Sequence, residues 1–342
     1  MQANPVIIIS RTDSIGDVVL TLPLAGIIKH YIPASKIIFL GRNYTKDVVT
    51  LSEHVDEFIS YDTILKLDDA HKLNSFKQLQ ATHVIHVFPV KEIAVLAKKA
   101  GIQNRIGTTN RLWHWFTCNI KVKLSRKNSD KHEAQLNTRL LEPLGIQKEF
   151  SLDELASFYG FTKLPVLEKR YADLIPSDTI NIILHPKSKG SAREWGLDNF
   201  SKLIHELDKK RHTVFISGTE QEGELVKGLI KQHPEAIDLT GKLSLQQFIA
   251  FINACDGLVA ASTGPLHIAS ALGKQAIGLF APMRPIHPGR WQPIGRQASY
   301  LVLDKNCEDC RKTKDCHCIR EIPTADVITL IDRKLNDATH HE

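Results

Sequence analysis

Long apolar runs are absent from this chain of 342 residues: stretches such as Val6 to Ile9 fall far short of the roughly 20 residues that a membrane helix needs. The chain also has neither the GxGxxG dinucleotide fingerprint nor the GxxxxGK phosphate loop, which argues against a standard dehydrogenase and against a P-loop nucleotide hydrolase. Its start carries no basic region followed by an apolar core and a small-residue cleavage site, so no secretory signal is expected and the protein is expected in the cytoplasm. The net charge of +6 is modest and has no long single-sign run. One basic stretch, Lys121, Lys123, Arg126, Lys127 and Lys131, could draw a phosphorylated substrate or an anionic membrane surface, and its ordinary reading is a solvated face. Charge alone does not exclude nucleic acid, but with no recognisable binding motif none is expected as a partner.

With 42% hydrophobic and 24% charged residues the chain is an ordinary globular protein, and its length calls for two domains. Short apolar segments alternate with helical patterns in both halves. In the first, strands are expected at 6–10, 36–40, 57–60, 83–88 and 105–107, with helices at 17–31, 45–51, 91–100 and 132–144, the last stopped by Gly145. The stretch 151–178, bracketed by Pro165 and Pro176 in its second half, has no strong strand signal and reads as the connection. Alternation then restarts with strands at 179–184, 213–217, 257–260 and 275–280 and helices at 197–209, 223–231 and 244–254. The expected fold is α/β: two doubly wound parallel domains, 1–165 and 166–342, facing a central cleft, with ligands held by loops at the carboxyl ends of strands.

Three such loops carry chemistry. The segment Ser262, Thr263, Gly264, Pro265 breaks an apolar run and opens a helix bearing His267. The first N–H groups of a helix have no internal partner and lie at the positive end of its dipole, so the turn suits a phosphate; an ordinary capped turn is the alternative. A second loop, Arg11 to Asp17, follows the first strand, with Gly16 permitting close backbone approach. Asp17 can act as a general base for an acceptor hydroxyl or merely stabilise the helix start by about 0.3–1 kcal/mol, and Asp13 competes for the first role. The third loop, His185 to Trp195, combines Ser188, Gly190 and Ser191 with Lys187, Lys189 and Arg193, cations that can neutralise charge growing on a leaving phosphate.

Four segments in order, IIISRTDSIGDVVLTLPL, HPKSKGSAREWGLDNF, LTGKLSLQQFIAFINACDGLVAASTGPLHIASALG and GLFAPMRPIHPGRWQPIG, resemble glycosyltransferase family 9, the family of the ADP-heptose:lipopolysaccharide heptosyltransferases, over most of the chain. The resemblance implies a GT-B fold of two Rossmann-like domains and an inverting transfer that needs no metal cofactor. It also implies a nucleotide-sugar donor held mainly by the C-terminal domain. It selects Asp17 as catalytic base, with Asp13 and Gly16 on the acceptor side. On the donor side it places Arg193, Ser188, Ser191, Thr263, Gly264 and His267 against the phosphates, Glu222 against the ribose, and Leu243 beside the base. The family usually has an aspartate at the position of Ser262, where it can bind sugar hydroxyls, so the donor sugar is left open.

The implied acceptor is a growing glycolipid, the lipopolysaccharide core, which would bring the enzyme peripherally to the cytoplasmic face of the inner membrane. A transferase using another nucleotide sugar, a GT-B sugar-nucleotide epimerase and a non-catalytic binding protein are the alternatives. Separately, Cys307, Cys310, Cys316 and Cys318 cluster around His317, and thiolates at this density are ligands for a structural zinc; a reduced thiol-rich loop is the alternative. Cys118 and Cys255 read as buried core residues.

Overall fold

A computed structural model describes residues 4–126, 129–303 and 316–338. The chain divides into two compact units, Met1–Lys163 and Leu164–Glu342. Each is built on a six-stranded parallel sheet. In the first, β1 (Val6–Ser10), β2 (Lys36–Gly41), β3 (Glu57–Ser60), β4 (His83–His86), β5 (Asn104–Thr108) and β6 (Ile120–Val122) lie in the order β3-β2-β1-β4-β5-β6. In the second, β7 (Ile180–His185), β8 (His212–Ile216), β9 (Ile237–Asp238), β10 (Gly257–Ala261), β11 (Gln275–Phe280) and β12 (Ala298–Val302) lie in the order β12-β11-β10-β7-β8-β9.

Central strands are apolar on both faces because helices cover both sides of a parallel sheet: Ile7, Ile8 and Ile9 of β1 are fully buried, and every residue of β10 and β11 is buried. In each sheet the chain winds outward from its first strand and then returns to the other side. The winding direction therefore reverses beside β1 and between β7 and β10, where flanking loops diverge and open a crevice at the carboxyl edge.

Several helices differ from their sequence pattern for identifiable reasons. The pattern expected as one helix over 17–31 is two, Ile15–Val19 and Pro23–Tyr31, because Pro23 suits a first helical turn and restarts the helix there. The 132–144 pattern begins as the helix Glu133–Thr138 and tightens into a 3₁₀ turn, Arg139–Leu144, around Pro143; Gly145 ends it with a φ of 82°. Residues 151–163, read as part of a connection, fold onto the first unit: Leu155 is fully buried and the Ser52 hydroxyl donates to the Tyr159 carbonyl at 2.7 Å. Among the described residues no helix is long and apolar enough to cross a membrane.

Candidate active site

Beyond β1, the N–H of Arg11 donates to the Leu40 carbonyl at 3.0 Å, extending the ladder by one residue, and its side chain is only 3% exposed. A buried guanidinium is costly unless its donors are matched. Here they are. Its Nε and one terminal nitrogen grip the Asp13 carboxylate at 2.7 and 2.9 Å, the same terminal nitrogen reaches Asp17 Oδ1, and the other lies 3.2 Å from Glu133 Oε1. Glu133, 1% exposed, opens the helix Glu133–Thr138 behind a His132 cap and also takes Arg126 Nε at 2.9 Å; Arg126 continues to Asn137 Oδ1 at 2.9 Å. Two cations and three carboxylates thus form one network under the β1 loop.

Asp17 lies in the first turn of Ile15–Val19, and Gly16 is already helical, its carbonyl accepting from Leu20 N–H at 3.0 Å. The second Asp17 oxygen accepts from the Ser14 hydroxyl at 2.5 Å. An ionised carboxylate offers about four lone-pair sites, so with a side chain 20% exposed Asp17 is oriented and can still accept a proton. Burial pushes the Asp13 carboxyl up to about 6, Arg11 opposing the rise and Asp17 adding to it. For Arg11 burial disfavours the charge, but Asp17, Asp13 and Glu133 together hold the guanidinium protonated above its ordinary range. The Tyr44 hydroxyl donates to the Asp13 carbonyl at 2.6 Å and pins the loop from outside.

In the second unit three loops leave adjacent strands. Ala260 of β10 pairs in register with His185 of β7, and β8 flanks β7 on its other side, so the 262–267 turn, the 186–196 loop and the 217–222 turn share one edge. Thr263 is the N-cap of the helix Gly264–Ala271 but makes no capping bond; its Oγ1 is buried without a hydrogen-bond partner, although a cap hydroxyl ordinarily satisfies one of the helix's open N–H groups. The open amino end and an unmatched buried hydroxyl together form a polar cradle of the kind an anion fills. His267 is 2% exposed one turn on, Ser262 is half-buried, and Pro265 suits the helix start.

The 186–196 loop is organised by Glu194, which accepts from Lys187 Nζ at 2.5 Å and from Ser188 N–H at 3.0 Å. Lys189 and Gly190 both take positive φ, 50° and 82°, turning the loop sharply. Ser188 is buried, its Oγ within 3.2 Å of the Ala192 carbonyl and Glu194, and the exposed Ser191 donates its hydroxyl to the Ser188 carbonyl at 2.8 Å. They shape the loop rather than present their protons outward, whereas Arg193 sits half-buried beside them. Glu222 is the N3 residue of a capping box, one oxygen accepting from Thr219 N–H at 2.7 Å and Thr219 Oγ1 at 2.9 Å. Gly241 N–H donates to the Gly218 carbonyl at 2.9 Å, which sets half-buried Leu243 close to that turn.

Structure therefore gathers Asp13, Gly16 and Asp17 in the first unit and Ser188, Ser191, Arg193, Glu222, Leu243, Ser262, Thr263, Gly264 and His267 at neighbouring loops of the second. Sequence reasoning gave no role to Arg11, Glu133, Glu194 or His185, and it placed Arg126 in a basic stretch rather than in this network. His185, the last residue of β7 and hence a discernible candidate, is 8% exposed with Nδ1 3.0 Å from Ser217 Oγ; burial pushes it down to about 4, leaving it neutral near pH 7. Cys316 caps the short helix His317–Arg320 and Cys318 lies within it, both buried in the core of the second unit. Cys307 and Cys310 lie outside the described residues, among which no group of three or more His, Cys, Asp or Glu converges as a metal site.

Two doubly wound parallel units, with polar loops at their switch points, are the architecture of GT-B glycosyltransferases. The chain belongs to glycosyltransferase family 9: residues 74–318 match the model described as glycosyltransferase family 9 (heptosyltransferase). Over 354 aligned positions it is 23% identical to lipopolysaccharide heptosyltransferase 3 of Escherichia coli, covering 95% of this chain and 97% of that one. The solved structure of E. coli ADP-heptose lipopolysaccharide heptosyltransferase II superimposes with a TM-score of 0.77 at 16% identity, covering 98% of this chain and 99% of that one. An E. coli heptosyltransferase solved with ADP-2-deoxy-2-fluoro heptose gives 0.67 at 16% identity, over 96% and 99% of the two chains. At these identities the solved structures establish the shared fold.

Proposed function

We propose that this family 9 enzyme is an inverting transferase that moves heptose from ADP-heptose onto a lipopolysaccharide core or related glycolipid at the cytoplasmic face of the inner membrane. Asp17 removes the proton of the acceptor hydroxyl, whose oxygen attacks the anomeric carbon from the face opposite the diphosphate. The anomeric C–O bond breaks, and the charge left on the nucleoside diphosphate is met by Arg193 and by the open amino end at 263–267, with no metal ion required. Glu222 takes the ribose through the oxygen its capping box leaves over, and backbone near Leu243 approaches the base.

The observation that carries this reading is Thr263: its buried, unmatched hydroxyl stands at an open helix terminus in the loop that follows β10. Relatives described as lipopolysaccharide heptosyltransferases support the sugar and the acceptor. A second reading, transfer from another nucleotide sugar, is favoured by Ser262, which offers a single hydroxyl where the family's aspartate would offer two accepting oxygens. A structural zinc at Cys307, Cys310, Cys316 and Cys318 is a separate proposal. The test incubates the enzyme with ADP-heptose, or with other nucleotide sugars, and a core-deficient lipopolysaccharide, and identifies the product by mass. Transfer from ADP-heptose supports the first reading, and transfer solely from another donor replaces it with the second.

A further inference from the structure

Between β5 and β6 the first unit carries a surface that the site does not use. Leu112, Trp115 and Phe116 are 75%, 56% and 70% exposed, three large apolar side chains within five residues. Their exposure is imposed by the fold. His114, between them, is fully buried, accepts from Thr108 N–H at 3.0 Å through Nδ1, and stacks 5.5 Å from the equally buried His86. The helix His114–Thr117 ends on carbonyls with no partner inside the helix. Lys98 Nζ takes that of Phe116 at 2.8 Å and Arg105 Nε that of Thr117 at 2.7 Å. Trp115 is oriented too, its indole N–H donating to the Thr109 carbonyl at 3.2 Å.

Cations surround these side chains. Arg111 lies 5.8 Å from the Trp113 ring and Lys121 Nζ 5.4 Å from the Trp115 ring, and from residue 93 to residue 129 the chain has eight Lys and Arg and no Asp or Glu. An aromatic and aliphatic cluster ringed by cations matches the interface of a bilayer, where Trp and Phe settle at headgroup depth and Lys and Arg meet anionic lipid. A two-fold contact with a second copy would set this acid-free segment against itself, like charge facing like.

We propose that Arg111–Phe116 is a membrane-docking surface for an anionic phospholipid bilayer: Leu112, Trp115 and Phe116 enter the interface, and Lys98, Arg111 and Lys121 engage the headgroups. The segment leaves the carboxyl end of β5, the end of the parallel sheet from which the Asp17 loop leaves β1. Docking there deepens the glycolipid reading, since a lipid-anchored acceptor would be met at that end of the sheet. The test below contains no sugar donor and fails or succeeds separately from that reading.

The full-length protein is sedimented with vesicles of phosphatidylcholine, alone or mixed with phosphatidylglycerol, at rising sodium chloride. Binding is expected to the mixed vesicles only, weakening with salt. The double variant Arg111→Glu with Lys121→Glu should lower partitioning at least about tenfold, and so should Trp115→Ser with Phe116→Ser. Both should melt within a few degrees of the wild type, since Arg111, Trp115 and Phe116 are exposed and Lys121 is half-buried at the surface. Equal binding to both vesicles, variants that bind as the wild type does, or the serine variant dissociating a wild-type dimer while vesicle binding persists would each overturn the proposal. Retention on a single-stranded oligonucleotide in place of vesicles would do so as well.

Discussion

Arg11 and Glu133, 122 residues apart in sequence, meet as a buried ion pair with 3.2 Å between Nη1 and Oε1. Through it the helix Glu133–Thr138 fixes the guanidinium that in turn holds Asp13 and Asp17. Neutralising Glu133 leaves Arg11 with Asp13 and Asp17, so the cost falls short of the about 3–5 kcal/mol of a fully orphaned buried charge. Glu133→Gln should lower the unfolding free energy by about 1–3 kcal/mol in urea titrations. A change below about 1 kcal/mol, the range of exposed pairs, would show that the network contributes little to the fold.

Asp13 gives a pH signature. Its carboxyl is raised by burial from 3.8 to about 6, so between these values the folded chain binds more protons than the unfolded one. Stability from protonated Asp13 is full below the unfolded value and is lost as pH rises through about 6. The stability difference between wild type and Asp13→Asn should therefore change across that window. The profile of kcat/KM should carry an inflection near 6 that the variant lacks. Superimposable profiles would show that Asp13 does not titrate in this window within the Arg11 network.

Thr263→Val separates a ligand role from a structural one. Its hydroxyl is buried without a partner, so an isosteric methyl should leave Tm unchanged or raise it. If that hydroxyl serves the diphosphate, donor affinity should fall by about 1.5–3 kcal/mol, roughly tenfold to a hundredfold, in calorimetric titration. Lower stability with unchanged affinity would make Thr263 a core residue.

The zinc proposal is checked by elemental analysis. One zinc per chain is expected, and Cys316→Ser with Cys318→Ser should remove it and lower Tm, since structural zinc contributes directly to folding. A chain purified without zinc that melts unchanged after chelation contradicts the proposal.

Much of the scaffold is legible in local pattern. Strand β11 was readable to the residue, because Gln275–Phe280 is a short apolar run between a glycine-containing turn and Pro282. Strands β6 and β9, three and two residues long at the sheet edges, leave too little periodicity to detect. The loops were visible as breaks after strands, but what holds them was not. No spacing rule links Arg11 to Glu133, and only the folded chain shows the Ser188 and Ser191 hydroxyls spent on bonds within their own loop. Likewise, a capped turn is the alternative reading of 262–265, and the Thr263 side chain makes no capping bond.

The central claim is that Asp17 serves as base in sugar transfer, and it is tested most directly by comparing wild type with Asp17→Asn, using ADP-heptose and core-deficient lipopolysaccharide and following the acceptor by mass spectrometry. The account predicts addition of one heptose by the wild type and a fall in kcat of at least about a hundredfold in the variant, the scale of lost general-base catalysis, with donor affinity retained. Full activity in Asp17→Asn, or no sugar reaching the acceptor from any nucleotide sugar, would contradict it.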